Sequence, residues 1–220
     1  MKKNNLILGA FLAITAILFS SCAGGPTNVT DIDGNVYNVV SIGNQCWMKE
    51  NLKVTHYKNG DVIPQVQDKQ AWAKLTTGAW CYYNNDASNG TKYSKLYNWY
   101  AVHDPRGLAP NGYHIPTDEE WKKLTDYLGG ESGAGTKMKS TSGWNNNGNG
   151  TNSSGFSGLP GGYRNYNGAF YYIGIYGFWW SSTEIFNLNA WTRYLNYNSG
   201  YVGRGNYGKE RGFSVRCLRD

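Results

Sequence analysis

The sequence predicts an α+β fold in which short helices are segregated from a late antiparallel sheet. Three observations carry that reading. A fully capped amphipathic helix begins at Thr117, the last third of the chain sets short runs of β-formers between Gly and Asn turns, and the two patterns do not alternate as βαβ units would.

The elements follow in order. Residues 31–53 read as strand, turn, strand: Val36, Tyr37, Val39, Val40 and Ile42 are β-formers, Gly43 and Asn44 supply the turn, and Cys46, Trp47 and Met48 resume the apolar face. Asp31, Asp33, Gly34 and Asn35 look like half a calcium loop, but Ile42 stands at the twelfth position, where a bidentate Glu is required. An Asx turn opening a strand is expected instead. Asp68 is placed to cap a short helix through Leu75, which Gly78 ends before the apolar run Ala79, Trp80, Cys81, Tyr82 and Tyr83. Leu96, Trp99 and Tyr100 recur at three and four residues and predict a helix over residues 94–102. Thr117 is a good N-cap, Glu120 completes a capping box, and Asp118 and Glu119 face the positive end of the helix dipole. Trp121, Leu124 and Leu128 form that helix's inward stripe, and Gly129 suits the left-handed closing turn. Residues 140–158 are mostly Gly, Asn, Ser and Thr, a long loop that Trp144 and Phe156 tack to the core. Strands are then expected at Tyr163 and Arg164, at residues 170–175, 178–182, 191–197 and 213–217, with a turn at Tyr166, Asn167 and Gly168.

The ends and the composition bound the setting. Met1 to Ser21 has a basic start at Lys2 and Lys3 and an apolar stretch from Leu6 to Phe19, a secretion signal too short to span a membrane comfortably. Leu18, Phe19, Ser20, Ser21 and Cys22 resemble the lipobox of bacterial lipoproteins, in which the Cys22 thiol becomes a diacylglyceryl thioether and the new amino terminus is acylated. The expected organisation is a signal peptide over residues 1–21, a flexible tether over 22–30 and one domain over 31–220. The address is the outer membrane, at the cell surface or the periplasmic face, and no acidic run after Cys22 decides between them. Removing Lys2 and Lys3 leaves 19 basic against 15 acidic residues, a balance of +4. These charges are scattered, not striped, which excludes nucleic acid as a partner. Aromatics at 15% and charges at 16% exclude both disorder and an ordinary cytosolic composition, in which about 25% is charged. Cys46, Cys81 and Cys217 remain after the anchor; in an oxidising compartment that arithmetic gives one disulfide and one thiol. Cys81 with Cys217 is the preferred pair and Cys46 the alternative partner, the bridge adding about 3–5 kcal/mol. These cysteines and His56, His103 and His114 show no CxxC or HxxxH spacing, so neither a metal nor a cofactor is expected.

Six motifs then stand in order: Ile42-Gly43-Asn44 with Trp47-Met48-Lys49-Glu50-Asn51-Leu52; Leu96-Tyr97-Asn98-Trp99; Gly112-Tyr113-His114-Ile115-Pro116-Thr117-Asp118-Glu119-Glu120-Trp121; Gly155-Phe156 with Pro160-Gly161-Gly162-Tyr163-Arg164; Trp180-Ser181-Ser182-Thr183-Glu184; and Gly212-Phe213-Ser214-Val215-Arg216-Cys217. Their succession resembles the Fibrobacter succinogenes major paralogous domain family across nearly the whole mature chain. The resemblance implies an exported protein, often a lipoprotein of Bacteroidota-type bacteria, and names no reaction. Ala109 stands where many members carry a Cys, so their disulfide pattern does not transfer simply. More distantly, the helix motif and the closing Gly-Phe-Ser-Val-Arg look like the C-type-lectin-like fold shared with formylglycine-generating enzymes. The oxidase's paired cysteines and the lectins' Glu-Pro-Asn and Trp-Asn-Asp triplets are missing, so neither mechanism is implied.

Three functional classes are then weighed. The first is a non-catalytic module binding glycan or protein through Trp144, Tyr166, Tyr171, Trp179, Trp191 and Tyr194, with Asn146, Asn165 and Asn189 as polar neighbours. Sugar C–H groups stack on aromatic faces while amides bond the hydroxyls. The second is a structural or accessory subunit of an outer-membrane complex, and the third an enzyme using Glu184 or His114. No enzyme is expected, because the cap already accounts for Asp118 and Glu120. Arg164, Arg193 and Arg216 are expected to satisfy carboxylates or carbonyls inside the fold.

Overall fold

A computed structural model describes Cys22 and residues 25–220; the leader read over residues 1–21 lies outside them. Asn28–Thr30 (β1), Val36–Ile42 (β2) and Gln45–Met48 (β3) open the chain. The expected hairpin forms, with Ile42 opposite Gln45 across a two-residue Gly43-Asn44 turn. Asp31 makes the Asx turn: its Oδ1 accepts from the backbone N–H of Asp33 (3.0 Å) and Asn35 (2.9 Å), and its Oδ2 from the Tyr37 hydroxyl (2.6 Å). The stretch read as tether is partly structured, because Asn28, Val29 and Thr30 pair with Asn38, Tyr37 and Val36 and extend the hairpin to three strands.

Lys69–Trp72 (α1) is capped by Asp68 as expected, Oδ1 accepting from Ala71 N at 2.7 Å, but runs for a single turn. Next come Trp80–Cys81 (β4), Ala87–Tyr93 (α2), Leu96–Tyr97 (β5), Trp99–Val102 (α3) and Tyr113–His114 (β6). The single helix expected over residues 94–102 is therefore divided. Leu96 and Tyr97 pair with Cys81 and Trp80, and Asn98 recaps the chain by accepting from Ala101 N at 3.1 Å. Asp118–Tyr127 (α4) carries the full capping box, buries Trp121 and Leu124, and closes through Leu128 on Gly129 at φ +101°. Glu131–Met138 (α5) follows without a side-chain cap.

Gly161–Arg164 (β7), Phe170–Ile173 (β8), Tyr176–Ile185 (β9), Asn189–Asn196 (β10), Val202–Gly208 (β11) and Leu218–Arg219 (β12) complete the chain. One five-stranded sheet runs β1-β2-β3-β12-β6, a second β11-β10-β9-β7-β8, and β4 pairs with β5 alone. The second sheet is antiparallel except where Gly162 meets Gly177 in a parallel β7–β9 step. Mixed helix and strand content with antiparallel sheets makes this an α+β fold, but the expected segregation along the chain holds only from α4 onward, because α1, α2 and α3 alternate with β4, β5 and β6. Among the described residues no helix is long and apolar enough to cross a membrane.

One large core lies under Trp80, Tyr97, Trp180, Phe213 and Val215, and a second joins α4 and α5 to Trp47, Phe156 and Trp179. Trp144 and Phe156 tack the long loop down as expected, at 5% and 0% exposure. Arg164, Arg193 and Arg216 are all buried; Arg164 donates to the carbonyls of Val66, Gln67, Asp68 and Gly168. The Cys81–Cys217 bridge does not form. Cys81 packs with Trp72 and Leu96 in a third cluster, whereas Cys217 lies in the large core, and burial pushes both thiols up to about 12. Cys22 is instead bridged to Cys46 on β3, with Cα atoms 5.6 Å apart.

Candidate functional site

Strand alternation places every second residue of the second sheet on one face, and register turns those residues into rows. Tyr171 on β8 faces Tyr163 on β7; the Gly162–Gly177 step sets Tyr163 beside Phe178 on β9; Phe178 faces Tyr194 on β10, and Tyr194 faces Gly203 on β11. The rings touch in sequence, Tyr163 to Tyr171 at 5.8 Å, Tyr163 to Phe178 at 5.2 Å and Phe178 to Tyr194 at 5.5 Å between centroids. Gly203 ends the row for a steric reason: a Cβ there would lie 2.0 Å from the Tyr194 ring, which lies across the bare backbone. Tyr176, two residues before Phe178, stacks on it at 5.5 Å and approaches Tyr172 at 5.3 Å; Tyr207 meets Phe178 edge-on at 5.8 Å.

Exposure rises outward from the centre of this face. Phe178 is buried, Tyr163, Tyr176, Tyr194 and Tyr207 are half-buried, and Tyr171, Tyr172 and Tyr166 are exposed at 39%, 48% and 52%. Tyr172 has φ +67°, a conformation that a bulky L-residue adopts only when its surroundings enforce it. The turn that enforces it is closed by Ile175 N–H donating to the Tyr172 carbonyl at 3.0 Å. The Arg211 guanidinium lies 4.9 Å from the Tyr207 centroid, 5.6 Å from Tyr166 and 5.7 Å from Tyr163. Burial raises the Tyr163 and Tyr207 hydroxyls above their ordinary range, so both stay neutral phenols, able to donate and to accept.

Of the ring residues expected to meet ligand, Tyr166, Tyr171 and Tyr194 belong to this face. Trp144 and Trp179 do not. Trp144 is buried with its Nε1 donating to Ser140 Oγ (3.1 Å) and the Gly158 carbonyl (3.2 Å), and the fully buried Trp179 donates to Asn51 Oδ1 at 2.8 Å. Trp191 is on the opposite face of β10. There the Arg204 guanidinium covers its ring at 3.4 Å and bonds Asp118, which Arg193 also reaches. Burial alone would raise the Asp118 carboxyl, but hydrogen bonds from Arg204 and Arg193 hold it below the ordinary value. The polar neighbours scatter: Asn146 sits in the long loop, Asn165 in the β7–β8 turn, and Asn189 bonds Asn206 at 3.0 Å. Sequence reading missed Tyr163, Tyr172, Tyr176, Tyr207 and Arg211. Alternation of Tyr176 with Phe178 carried the signal for part of the row; the rest needs register.

The groups weighed for catalysis are engaged elsewhere. Glu184 pairs with Lys209, whose ammonium also donates to the Asn187 carbonyl at 2.9 Å. His114 has Nδ1 2.7 Å from Asp220 Oδ1 and Nε2 3.0 Å from Glu120 Oε1. Among the described residues no group of three or more His, Cys, Asp and Glu is placed to hold a metal ion.

A family model, the Fibrobacter succinogenes major domain, matches residues 40–219. Neither a curated protein nor a solved structure matches the chain.

Proposed function

The chain belongs to the Fibrobacter succinogenes major domain family, and from that premise we propose that it is a non-catalytic binding module, of C-type-lectin-like build, that recognises glycan. It is an extracytoplasmic lipoprotein held in the outer membrane through Cys22, at the cell surface or the periplasmic face, in a Bacteroidota-type bacterium. The observation that carries this reading is the tyrosine row, its outer rings exposed and one of them held at positive φ. Rigid tyrosines give a sugar a flat apolar face and hydroxyls at the same time, at low entropic cost. The engagement of Glu184 by Lys209, and of both His114 nitrogens by carboxylates, supports a role without bond-making chemistry.

A second reading, an accessory subunit of an outer-membrane complex, draws on the β9–β10 hairpin tip, where Phe186 and Leu188 are 81% and 76% exposed. One experiment separates the two. The full chain, purified in detergent, is applied to an array of neutral plant and microbial oligosaccharides beside the double variant Tyr171→Ala/Tyr172→Ala. Bound glycans are expected to weaken about three- to tenfold or more in the variant, the scale of the lost ring stacking. Array binding that the variant leaves intact removes the tyrosine face from the reading. An empty array, together with co-purification of a membrane protein that Phe186→Asn/Leu188→Asn abolishes, favours the accessory subunit.

A further inference from the structure

Between the chain after β3, the end of α2 and the long loop lies a cleft of about 560 Å³, within the size range of small-molecule sites. Its rim carries Lys49, Lys53 and Lys92, and among the described residues no carboxylate pairs with any of the three ammonium groups. The one acid on the wall, Glu50, bonds a neutral partner, its Oε2 accepting from Asn38 N and its Oε1 from Asn38 Nδ2, both at 2.8 Å, so the three ammonium groups outnumber it and the lining stays positive. Lys53 and Lys92 lean over the rings of Tyr37 and Tyr93, which hold them without neutralising them.

The floor of the cleft continues this imbalance inward. Asn51, 2% exposed, lines it and accepts through Oδ1 from Arg216 Nη2 at 2.8 Å and from Trp179 Nε1 at 2.8 Å. Arg216 is fully buried, and its remaining bonds go to the carbonyls of Met48 (3.0 Å) and Phe156 (2.6 Å), with no carboxylate among its partners. A buried guanidinium whose hydrogen-bond partners are all neutral, with Glu50 as the nearby carboxylate, adds to the net positive charge around the cavity. Two non-glycine residues on the rim, Ser94 (φ 69°, ψ −142°) and Ser157 (φ 56°), are held at positive φ, and strained backbone gathers where ligands are clamped.

We propose that this cleft is a second binding site, for an acidic saccharide whose carboxylate or sulfate meets Lys49, Lys53 and Lys92 while its ring hydroxyls meet Thr91 and Ser94. The cavity is larger than a bare anion needs, and the hydroxyls of Thr91 and Ser94 suit a sugar, those of Ser140 and Ser157 being held within the long loop. The inference is independent of the tyrosine face, which lies on other elements.

The test is calorimetric titration of the full chain with tetragalacturonate, with its uncharged methyl ester, and with a sulfated galactose tetramer, at low and high ionic strength. At least one acid is expected to bind and the ester not, with affinity falling as salt rises. Which acid binds distinguishes carboxylate from sulfate. Lys53→Gln/Lys92→Gln should weaken that binding about tenfold or more, the scale of lost charge-assisted hydrogen bonds, while Lys53→Arg/Lys92→Arg retains it. Tyr171→Ala/Tyr172→Ala should leave it unchanged, so failure here and failure of the tyrosine face are read separately. Equal binding of acid and ester, no binding of either acid, or full binding by the glutamine variant overturns the proposal.

Discussion

His114 joins the last residue of the chain to the start of α4, because its two nitrogens are held by Asp220 and Glu120. The hydrogen bond to Glu120 raises the imidazole pKa against the opposing effect of burial. Burial alone would raise the Glu120 carboxyl, but bonds from His114 and Thr117 lower it to about 2. The signs follow. Stability from His114 is fully present below the ordinary value of 6.5 and is lost as pH rises through the higher folded value; stability from Glu120 is present above 4.5 and is lost as pH falls towards about 2. The pair therefore stabilises most between 4.5 and 6.5, and solvent screening at this half-exposed site limits the histidine's share to about 0.5–1 kcal/mol. Melting midpoints measured from pH 5 to 9 should fall less steeply above pH 6.5 in His114→Gln than in the native chain; parallel curves would remove His114 from the account. The same scale explains what was legible of the site. Tyr166 could be read because it stands in a turn with Asn167 and Gly168, which puts it near a surface. Trp144 tacks the long loop to the core, as its isolated place there suggested, and that same burial rules it out as a ligand contact; Trp179 could not be told from a surface ring, since its indole finds Asn51 only in the folded chain.

At the scale of elements, α4 shows how much a local pattern can fix. Its Thr117 hydroxyl accepts from Glu120 N at 3.2 Å, and Glu120 returns the bond by accepting from Thr117 N at 2.8 Å, both partners lying within one turn of sequence. Thr117→Ala should cost about 0.5–2 kcal/mol in chemical denaturation and Thr117→Ser much less; an unchanged midpoint for the alanine variant would contradict the assignment. Elements fixed by distant partners were not legible. Strand β11 contains Gly203, Gly205 and Gly208, a poor strand composition, and exists because β10 offers a full register and Tyr194 needs the space above Gly203. Helix α5 carries Gly133 and Gly135 inside it, and Gly135 N donates to the Gly200 carbonyl at 2.8 Å, outside the helix altogether. The helix expected over residues 94–102 had the right spacing, but Leu96 and Tyr97 gain more as partners of β4. Periodicity cannot weigh that competition.

At the scale of the whole molecule, the Cys22 sulfur has two exclusive fates. Bridged to Cys46, it closes a loop of 24 residues onto the middle strand of the first sheet, beside a segment that Arg219 also holds by donating to the Pro26 carbonyl at 2.6 Å. Such a loop stabilises by about 3–4 kcal/mol in the chain-entropy account. Converted to a thioether, the same sulfur anchors the chain and leaves Cys46 a thiol, because a thioether sulfur cannot also form a disulfide. The lipoprotein proposal therefore makes a count. Membrane-bound chain, unfolded without reductant and treated with an alkylating reagent, should label at Cys46, Cys81 and Cys217. A version exported behind a signal without a lipobox should label only at Cys81 and Cys217, the two thiols outside the bridge. Reductant should lower the melting midpoint of the second form and leave the first unmoved. Two labelled thiols in both forms, with equal sensitivity to reductant, would show that Cys22 stays bridged in the membrane fraction and would remove it as the anchor.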